Sequence, residues 1–341
     1  MSPAGAAGAL REIMLRLDAL RDATTASQHV DQPDLRDGSV YVCPPGLVTA
    51  VKVALVTGRP LLLYGAPGTG KSSLGAYLAR NLNWRYYEHV VTARTEARDL
   101  LWRFDLVQRL ADANAGPAEP LRNEDYVEPG PLWWAIDPDT ARLRGAPADR
   151  PPSRPARDPQ MTAHESRDPA GAVLLIDEID KADPDVPNAL LIPLGSLRFR
   201  VTDIDVDVQA SPGPGPEGTP RRLVVLTTNE ERDLPAAFLR RCITLRLELP
   251  DAVTLARIAV SHLEAEGRVV SSEDRDRIDA LAQRLERERP ARPAPGEHVP
   301  GTAEFLDAVR AHLALDHLLS PADRDLVEGL TLVKPTSVQE G

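Results

Sequence analysis

Short apolar runs bounded by glycine, proline or acidic residues recur along the chain, and each reads as a buried strand. Leu61 to Tyr64 lies between Pro60 and Gly65, and Arg85 to Val91, Ala172 to Ile176, Leu223 to Leu226 and Ile243 to Leu249 follow it. Between them the period becomes helical. Leu74, Ala76, Leu78 and Ala79 stripe Ser73 to Leu82, and Leu100, Leu101, Phe104 and Leu106 stripe Thr95 to Arg109. Leu47 to Val56, Pro187 to Leu194 and the short stretch Leu234 to Arg241 are further helical segments. Buried-type strands alternating with helices predict an α/β fold built on a parallel sheet.

From Leu197 to Val208 the period is two. Leu197, Phe199 and Val201 alternate with arginines, and Ile204, Val206 and Val208 with aspartates. A hairpin turning at Thr202-Asp203 would set Arg200 opposite Asp205 and Arg198 opposite Asp207, although Thr-Asp is not a favoured two-residue turn. Beyond Pro250 the pattern is helical throughout, on Leu255, Ile258 and Leu263, then Ile278, Leu281 and Leu285, then Phe305, Val309 and Leu313. Arg284 to Arg292 reads as a solvated helix end. Near the start, Leu10, Ile13, Met14, Leu17 and Leu20 form an amphipathic helix suited to packing or to a partner. Asp22 to Asp37, Asn114 to Gly130 and Ser211 to Pro220 read as loops. Ala146 to Ala170, rich in proline, arginine and aspartate, reads as a mobile surface loop that buries little. The aromatic block Pro131 to Ile136 fits no motif. The expected organisation is an N-terminal helix and loop (1–37), an α/β domain with an inserted hairpin near 197–208 (38–250), and a helical domain (251–341).

Length and composition narrow the class. The chain's 341 residues hold about two domains. Apolar residues at 42% and a net charge of −11 give a globular, acidic protein, which disfavours a general nucleic-acid or acidic-membrane binder. Cys43 and Cys242 form no CxxC pair and suggest a reducing compartment. Arg11, Glu12 and Arg16 interrupt the start too early for a secretory signal, and no run approaches the roughly 18 apolar residues of a membrane span. The expected location is cytoplasmic.

The chemistry centres on Gly65-Ala66-Pro67-Gly68-Thr69-Gly70-Lys71-Ser72, which fits G-x-x-x-x-G-K-[ST] between a strand and a helix. Glycines let backbone N–H groups close on phosphate oxygens, and the helix N-terminus adds partial positive charge. Lys71 adds a full charge, and the Ser72 hydroxyl can reach Mg²⁺; Ser73 completes the phosphate-binding set. Tyr41-Val42-Cys43-Pro44-Pro45, ahead of the loop, could wall a base pocket. Asp177 and Glu178 end an apolar strand, where an aspartate can hold Mg²⁺ and a glutamate can deprotonate water. Asn229 ends another such strand and could bond γ-phosphate and water, or simply cap a turn. Arg240 and Arg241 are either surface charges or a finger reaching the γ-phosphate of a neighbouring subunit.

Taken in order, these motifs resemble the AAA+ ATPases and, within them, the MoxR branch. The resemblance rests on the phosphate loop, on Leu174 to Lys181, on Leu226-Thr227-Thr228-Asn229, on Leu239-Arg240-Arg241-Cys242 and on Thr92 to Leu101, and spans roughly Val40 to Leu319. It implies a P-loop αβα sandwich with a small helical lid, working as a ring, usually a hexamer. Lys71 would bind the β- and γ-phosphates of ATP, Ser72 and Asp177 would serve Mg²⁺, and Glu178 would activate water. Asn229 would be sensor 1, Arg241 would act in trans with Arg240 as second choice, and Leu197 to Val208 would be the hairpin preceding sensor 1. The sensor 2 arginine of many relatives is missing: Pro300 to Phe305 puts Ala303 or Glu304 there. A von Willebrand factor A partner, or another protein to be remodelled or matured, is the implied client. The alternatives are a nucleotide-gated switch with weak turnover and a DNA-translocating ring carrying Arg198 and Arg200 on a pore hairpin. A GTPase is disfavoured because no Asn-Lys-x-Asp motif occurs.

Overall fold

A computed structural model describes residues 3–20, 38–116, 120–160, 166–210, 221–289, 299–315, 327, 329, 331 and 332. The loops expected at Asp22 to Asp37 and Ser211 to Pro220 lie outside the described residues, as do 290–292 of the Arg/Glu-rich stretch. The chain divides into two units. One comprises Met1–Arg21, Pro45–Tyr64 and Leu78–Leu245, the other Asp22–Pro44, Gly65–Tyr77 and Arg246–Gly341.

The described strands, in chain order, are β1 (Leu61–Tyr64), β2 (Trp84–Val90), β3 (Trp102–Phe104), β4 (Val127–Pro129), β5 (Asp168–Asp177), β6 (Arg198–Val201), β7 (Val206–Gln209), β8 (Arg221–Thr228) and β9 (Ile243–Arg246). In the first unit a five-stranded sheet has the order β2-β5-β8-β1-β9. The pairings β2–β5, β5–β8 and β1–β8 are all parallel. Ala172 to Ile176 are buried on both faces, which is why this strand reads as unbroken hydrophobicity and takes a central place. Leu174 sits between Tyr87 and Val224, and Leu63 beside Thr227. The sheet is therefore the parallel α/β sheet of a P-loop fold, as expected. The N-terminal helix, Pro3–Ala19, buries Ile13 and Leu17, with Leu20 just beyond its end, and is tied down by Asp18 to Lys52 at 2.6 Å and by Arg16 donating to the Leu82 carbonyl at 3.2 Å.

The helix expected over Thr95 to Arg109 is broken in two. Ala97–Leu101 is helical behind a capping box of Glu96 and Asp99, β3 follows, and Asp105 caps a new helix, Leu106–Asn114. The break arises because β3 pairs antiparallel with β4, so Trp102 and Phe104 share one face. Part of the stretch expected as loop, Asn114 to Gly130, is thus strand β4, preceded by a 3-10 turn at Asn123–Tyr126. The segment expected as one helix at Pro187 to Leu194 is two, Asp185–Ala189 and Leu191–Ser196.

The hairpin forms, but its register differs from the expected one. Arg200 faces Asp207, Val201 faces Val206, and the turn takes four residues with Asp205 at φ 60°. Thr-Asp lacks the positive-φ preference a two-residue hairpin turn needs, so the turn lengthens. Arg200 now reaches both Asp205 and Asp207. The apolar side of the hairpin explains the aromatic block. Pro131–Ile136 is a buried helix whose Trp133 meets Phe199 edge-on at 5.9 Å, while Trp102 stacks on Phe199 at 5.8 Å. The segment expected to be mobile is tied down where described. Arg122 donates to the carbonyls of Arg150 and Pro151, Ala156 N–H to Arg142, and Tyr87 to Asp158. Its last residues, from Asp168, already belong to β5.

In the second unit, helices Ala252–Ala265, Ser272–Glu288 and Thr302–Leu315 bury Leu255, Leu263, Ile278, Leu285, Phe305 and Val309 together. Arg289, expected on a solvated helix end, instead donates to the carbonyls of Pro250 and Pro300, and burial lowers its pKa.

Truncating Phe199 to alanine removes the ring on which Trp102 and Trp133 both lie. We expect a loss of about 3 kcal/mol in urea unfolding. A loss below about 1 kcal/mol would show that the hairpin contributes little to this core.

Candidate functional site

Parallel strands end on a common edge, and that edge of the first unit collects polar residues. β5 delivers Asp177, which is 3% exposed, and β8 delivers Thr227, Thr228 and then Asn229. With Ile176 paired to Leu226, Asp177 comes beside Thr227. The Thr227 hydroxyl donates to Asp177 Oδ1 and accepts the Glu178 N–H at 2.9 Å. One hydroxyl thus satisfies a buried carboxylate and a buried backbone donor together.

Glu178 itself turns the chain out of the sheet at φ 60°, ψ 47°, a left-handed conformation costly for a non-glycine residue. The turn presents its carboxylate to two partners. Asn229 Nδ2 donates to Oε1 at 3.1 Å, and Lys181 Nζ to Oε2 at 2.7 Å. Its hydrogen bond to the Glu178 carboxylate raises the pKa of Lys181. A pKa raised in the folded state means that Lys181 adds stability that is present at neutral pH and lost as pH rises through the folded-state pKa. Asp180, 2% exposed, accepts the Glu231 N–H at 3.0 Å and so fixes the chain leaving Asn229.

The second unit holds the glycine-rich loop. Lys71 is buried, and Nζ donates to the loop carbonyls of Gly65 at 2.7 Å and Ala66 at 2.8 Å. Thr69 closes on the Ala66 carbonyl at 3.0 Å. Two glycines are sterically required. A Cβ on Gly65, at φ 141°, would lie 2.2 Å from the Leu247 carbonyl oxygen, and one on Gly68 would lie 2.5 Å from Gly301 Cα. Thr302 then donates to the Gly68 carbonyl twice, from N–H at 3.0 Å and from its hydroxyl at 2.8 Å. Glu304, at the place expected for sensor 2, accepts the Gly301 N–H at 3.1 Å and so caps its own helix. Ser73 begins the helix after the loop, with Ser72 just before it, and both are half-buried. Tyr41 lies over Gly70, 3.5 Å from where a Cβ would stand, and 5.3 Å from the ring of Tyr77. Burial raises the Cys43 thiol to about 11, which keeps it protonated and unreactive near neutrality.

Arg240 and Arg241 follow the four-residue helix Ala236–Leu239, and both are exposed. Arg241 donates to the Ala237 carbonyl at 3.0 Å, and no described carboxylate pairs with either. The structure thus gathers Asp177, Glu178 and Asn229 into one network and keeps the two arginines out of it. Thr227, Lys181 and Asp180 are functional candidates that the sequence reading left without roles. Thr227 carried a signal, as the first polar residue after the apolar run of β8 in parallel with the strand ending at Asp177.

The family model for AAA domains of the dynein-related subfamily matches residues 60–242, which include the loop, the acidic pair, Asn229 and both arginines. The chain belongs to that family. No curated protein matches it. Among solved structures it is similar to a RuvB mutant of Thermotoga maritima, at 15% identity and TM-score 0.44 over 85% of this chain and 68% of that one. It is also similar to domain III of the T. maritima replication initiation protein DnaA, at 13% identity and TM-score 0.42 over 90% of this chain and all of the other. An AAA domain implies nucleotide binding. Among the described residues, no helix is long and apolar enough to cross a membrane, and no cluster of three or more His, Cys, Asp or Glu is placed to hold a metal ion.

Replacing Thr227 with valine keeps its shape but strands the Glu178 N–H and removes the hydroxyl donor from the Asp177 carboxylate. We expect about 1–3 kcal/mol of lost stability in urea unfolding. Serine at this position, which keeps the hydroxyl, should lose only about 0.8 kcal/mol for the missing methyl. Equal losses in the two variants would contradict the bridging role.

Proposed function

We infer that this AAA protein is a Mg²⁺-dependent ATPase of the MoxR type, assembling as a homo-oligomeric ring, a hexamer by analogy, whose turnover remodels or matures a partner protein. The observation that carries the reading is the network in which Thr227 joins Asp177 to Glu178 and Asn229 takes up the Glu178 carboxylate. Hydrolysis needs a base, and a polar group to orient water beside it, at a strand end. Residues 38–250 would form the nucleotide-binding domain and 251–341 the lid.

The roles follow residue by residue. Gly65 to Ser73 surround the phosphates, and Lys71 turns from the loop carbonyls to phosphate oxygens. Ser72 and Asp177 offer the hard oxygen donors that suit Mg²⁺, whose bound form would neutralise charge between the β- and γ-phosphates. Asn229 orients the attacking water, and Glu178 accepts its proton once one carboxylate oxygen leaves Lys181 or Asn229. Arg241, or Arg240, would act on the nucleotide of a neighbouring subunit; their exposure supports that. MoxR character draws support from Thr92 to Leu101 and from the hairpin ahead of Asn229, and a von Willebrand factor A partner follows from that resemblance. A DNA-translocating ring gains less support, since Arg200 is already neutralised by Asp205 and Asp207.

A second reading is a nucleotide-gated switch with weak turnover. The double hold on the Glu178 carboxylate favours it, as does the capping role of Glu304.

Steady-state phosphate release compared between the wild type and Glu178→Gln tests the assignment. We expect a fall of about 10²-fold or more with ATP binding retained. Equal rates would remove Glu178 from the chemistry, and a wild-type rate already at the level of the variant would favour the switch.

A further inference from the structure

The first unit carries a cavity of about 1070 Å³ at the edge of the sheet opposite Asp177 and Asn229. Its walls come from the starts of β2 and β5, from the helix Pro138–Arg142 and from Ser153 to Asp158. Six arginines line it: Arg85, Arg142, Arg144, Arg154, Arg157 and Arg167. Among the described lining residues only Asp139 and Asp158 carry negative charge, and Asp158 is already engaged by the Tyr87 hydroxyl and the Gln160 N–H. In a chain of net charge −11 this is a local inversion of sign.

These arginines differ from others in the protein. Arg200, Arg221, Arg275 and Arg310 each pair with a carboxylate. Among the described residues, none of the six in the cavity does. Arg144 donates to the carbonyls of Val127 and Arg154, and Arg167 to that of Ala79, so their forks are positioned with no described carboxylate paired to them. Arg85 Nε is buried with no hydrogen-bond partner among the described residues. Burial, and then the neighbouring Arg80, lower the pKa of Arg167. Grouping and partly burying like charges costs stability unless an anion joins them.

The walls are fixed before any ligand arrives. Ala156 N–H bonds the Arg142 carbonyl at 2.8 Å, Arg144 the Arg154 carbonyl at 2.8 Å, and Ser153 N–H bonds Asp125 at 2.6 Å. Trp134 and three prolines supply apolar wall between the charges. The volume matches that of a small-molecule site. Several guanidinium forks converging on one space suit phosphoryl groups, whose oxygens each accept charge-assisted bonds.

We propose that this cavity binds a small phosphorylated anion, of the inorganic or nucleoside polyphosphate class, at a site separate from Asp177, Glu178 and Asn229. The ligand supplies the missing negative charge, and the exposed Arg142, Arg154 and Arg157, which make no hydrogen bond with their side chains among the described residues, close on it.

Calorimetric titration of the full chain with inorganic tripolyphosphate tests this in three backgrounds: wild type, Lys71→Ala, and the triple variant Arg142→Ala/Arg154→Ala/Arg157→Ala combined with Lys71→Ala. Binding should persist in Lys71→Ala and weaken by about 100-fold when the three arginines are removed. Loss of all binding in Lys71→Ala alone would overturn the cavity proposal while leaving the nucleotide reading intact. So would an affinity unchanged by the arginine substitutions, or no binding in any background. An ADP arm separates the nucleoside from the inorganic source, and tighter binding of hexaglutamate than of tripolyphosphate would overturn the phosphate assignment in favour of an acidic protein segment. Should the triple variant melt early, Arg154→Lys/Arg157→Lys keeps the charge without the forks, and a loss of about tenfold is expected from it.

Discussion

Parallel pairing of β5 with β2 on one side and β8 on the other constrains everything polar in the first unit. In a parallel sheet all strand ends of one sense share an edge, so residues far apart in sequence arrive there together. The pairing of Ile176 with Leu226 then decides which side chains meet. It brings the Thr227 hydroxyl between Asp177 and the Glu178 amide, and through the left-handed turn at Glu178 it sets that carboxylate against Asn229 and Lys181. A slip of one residue would move the Thr227 hydroxyl away from Asp177 and turn the side chains of β8 to the opposite faces of the sheet.

The glycine-rich loop obeys a different constraint, which is close approach of backbone. Gly68 and Gly301 nearly touch, and Thr302 holds the Gly68 carbonyl with two donors. Arg289 fixes Pro300 just before this contact. The helical segment therefore addresses the loop through the backbone and the hydroxyl of Thr302. Glu304 serves that arrangement by capping the helix that presents Thr302.

Much of this was legible in the sequence, for physical reasons. Central strands such as Ala172 to Ile176 are buried on both faces and show as unbroken apolar runs, and the phosphate loop needs glycines at fixed spacing. What could not be read depended on contacts between distant segments. The strand Trp102–Phe104 exists because of β4, and without that partner its residues fit a helical stripe. The hairpin register depended on how long a turn Thr202 to Asp205 would make. Roles for Thr227 and Gly301 required knowing which residues face them. Arg154, Arg157 and Arg167 read as part of a mobile surface loop and Arg85 as the start of a strand, because only the fold gathers them with Arg142 and Arg144.

The central claim is that the loop from Gly65 to Ser73 takes the phosphates of ATP, with Lys71 as its charged contact. Calorimetric titration of Mg·ATP into the wild type and into Lys71→Ala tests it most directly. The account predicts saturable, Mg²⁺-dependent binding that weakens by at least about tenfold, or about 1.4 kcal/mol, in the variant. Equal affinity in the two proteins would contradict it.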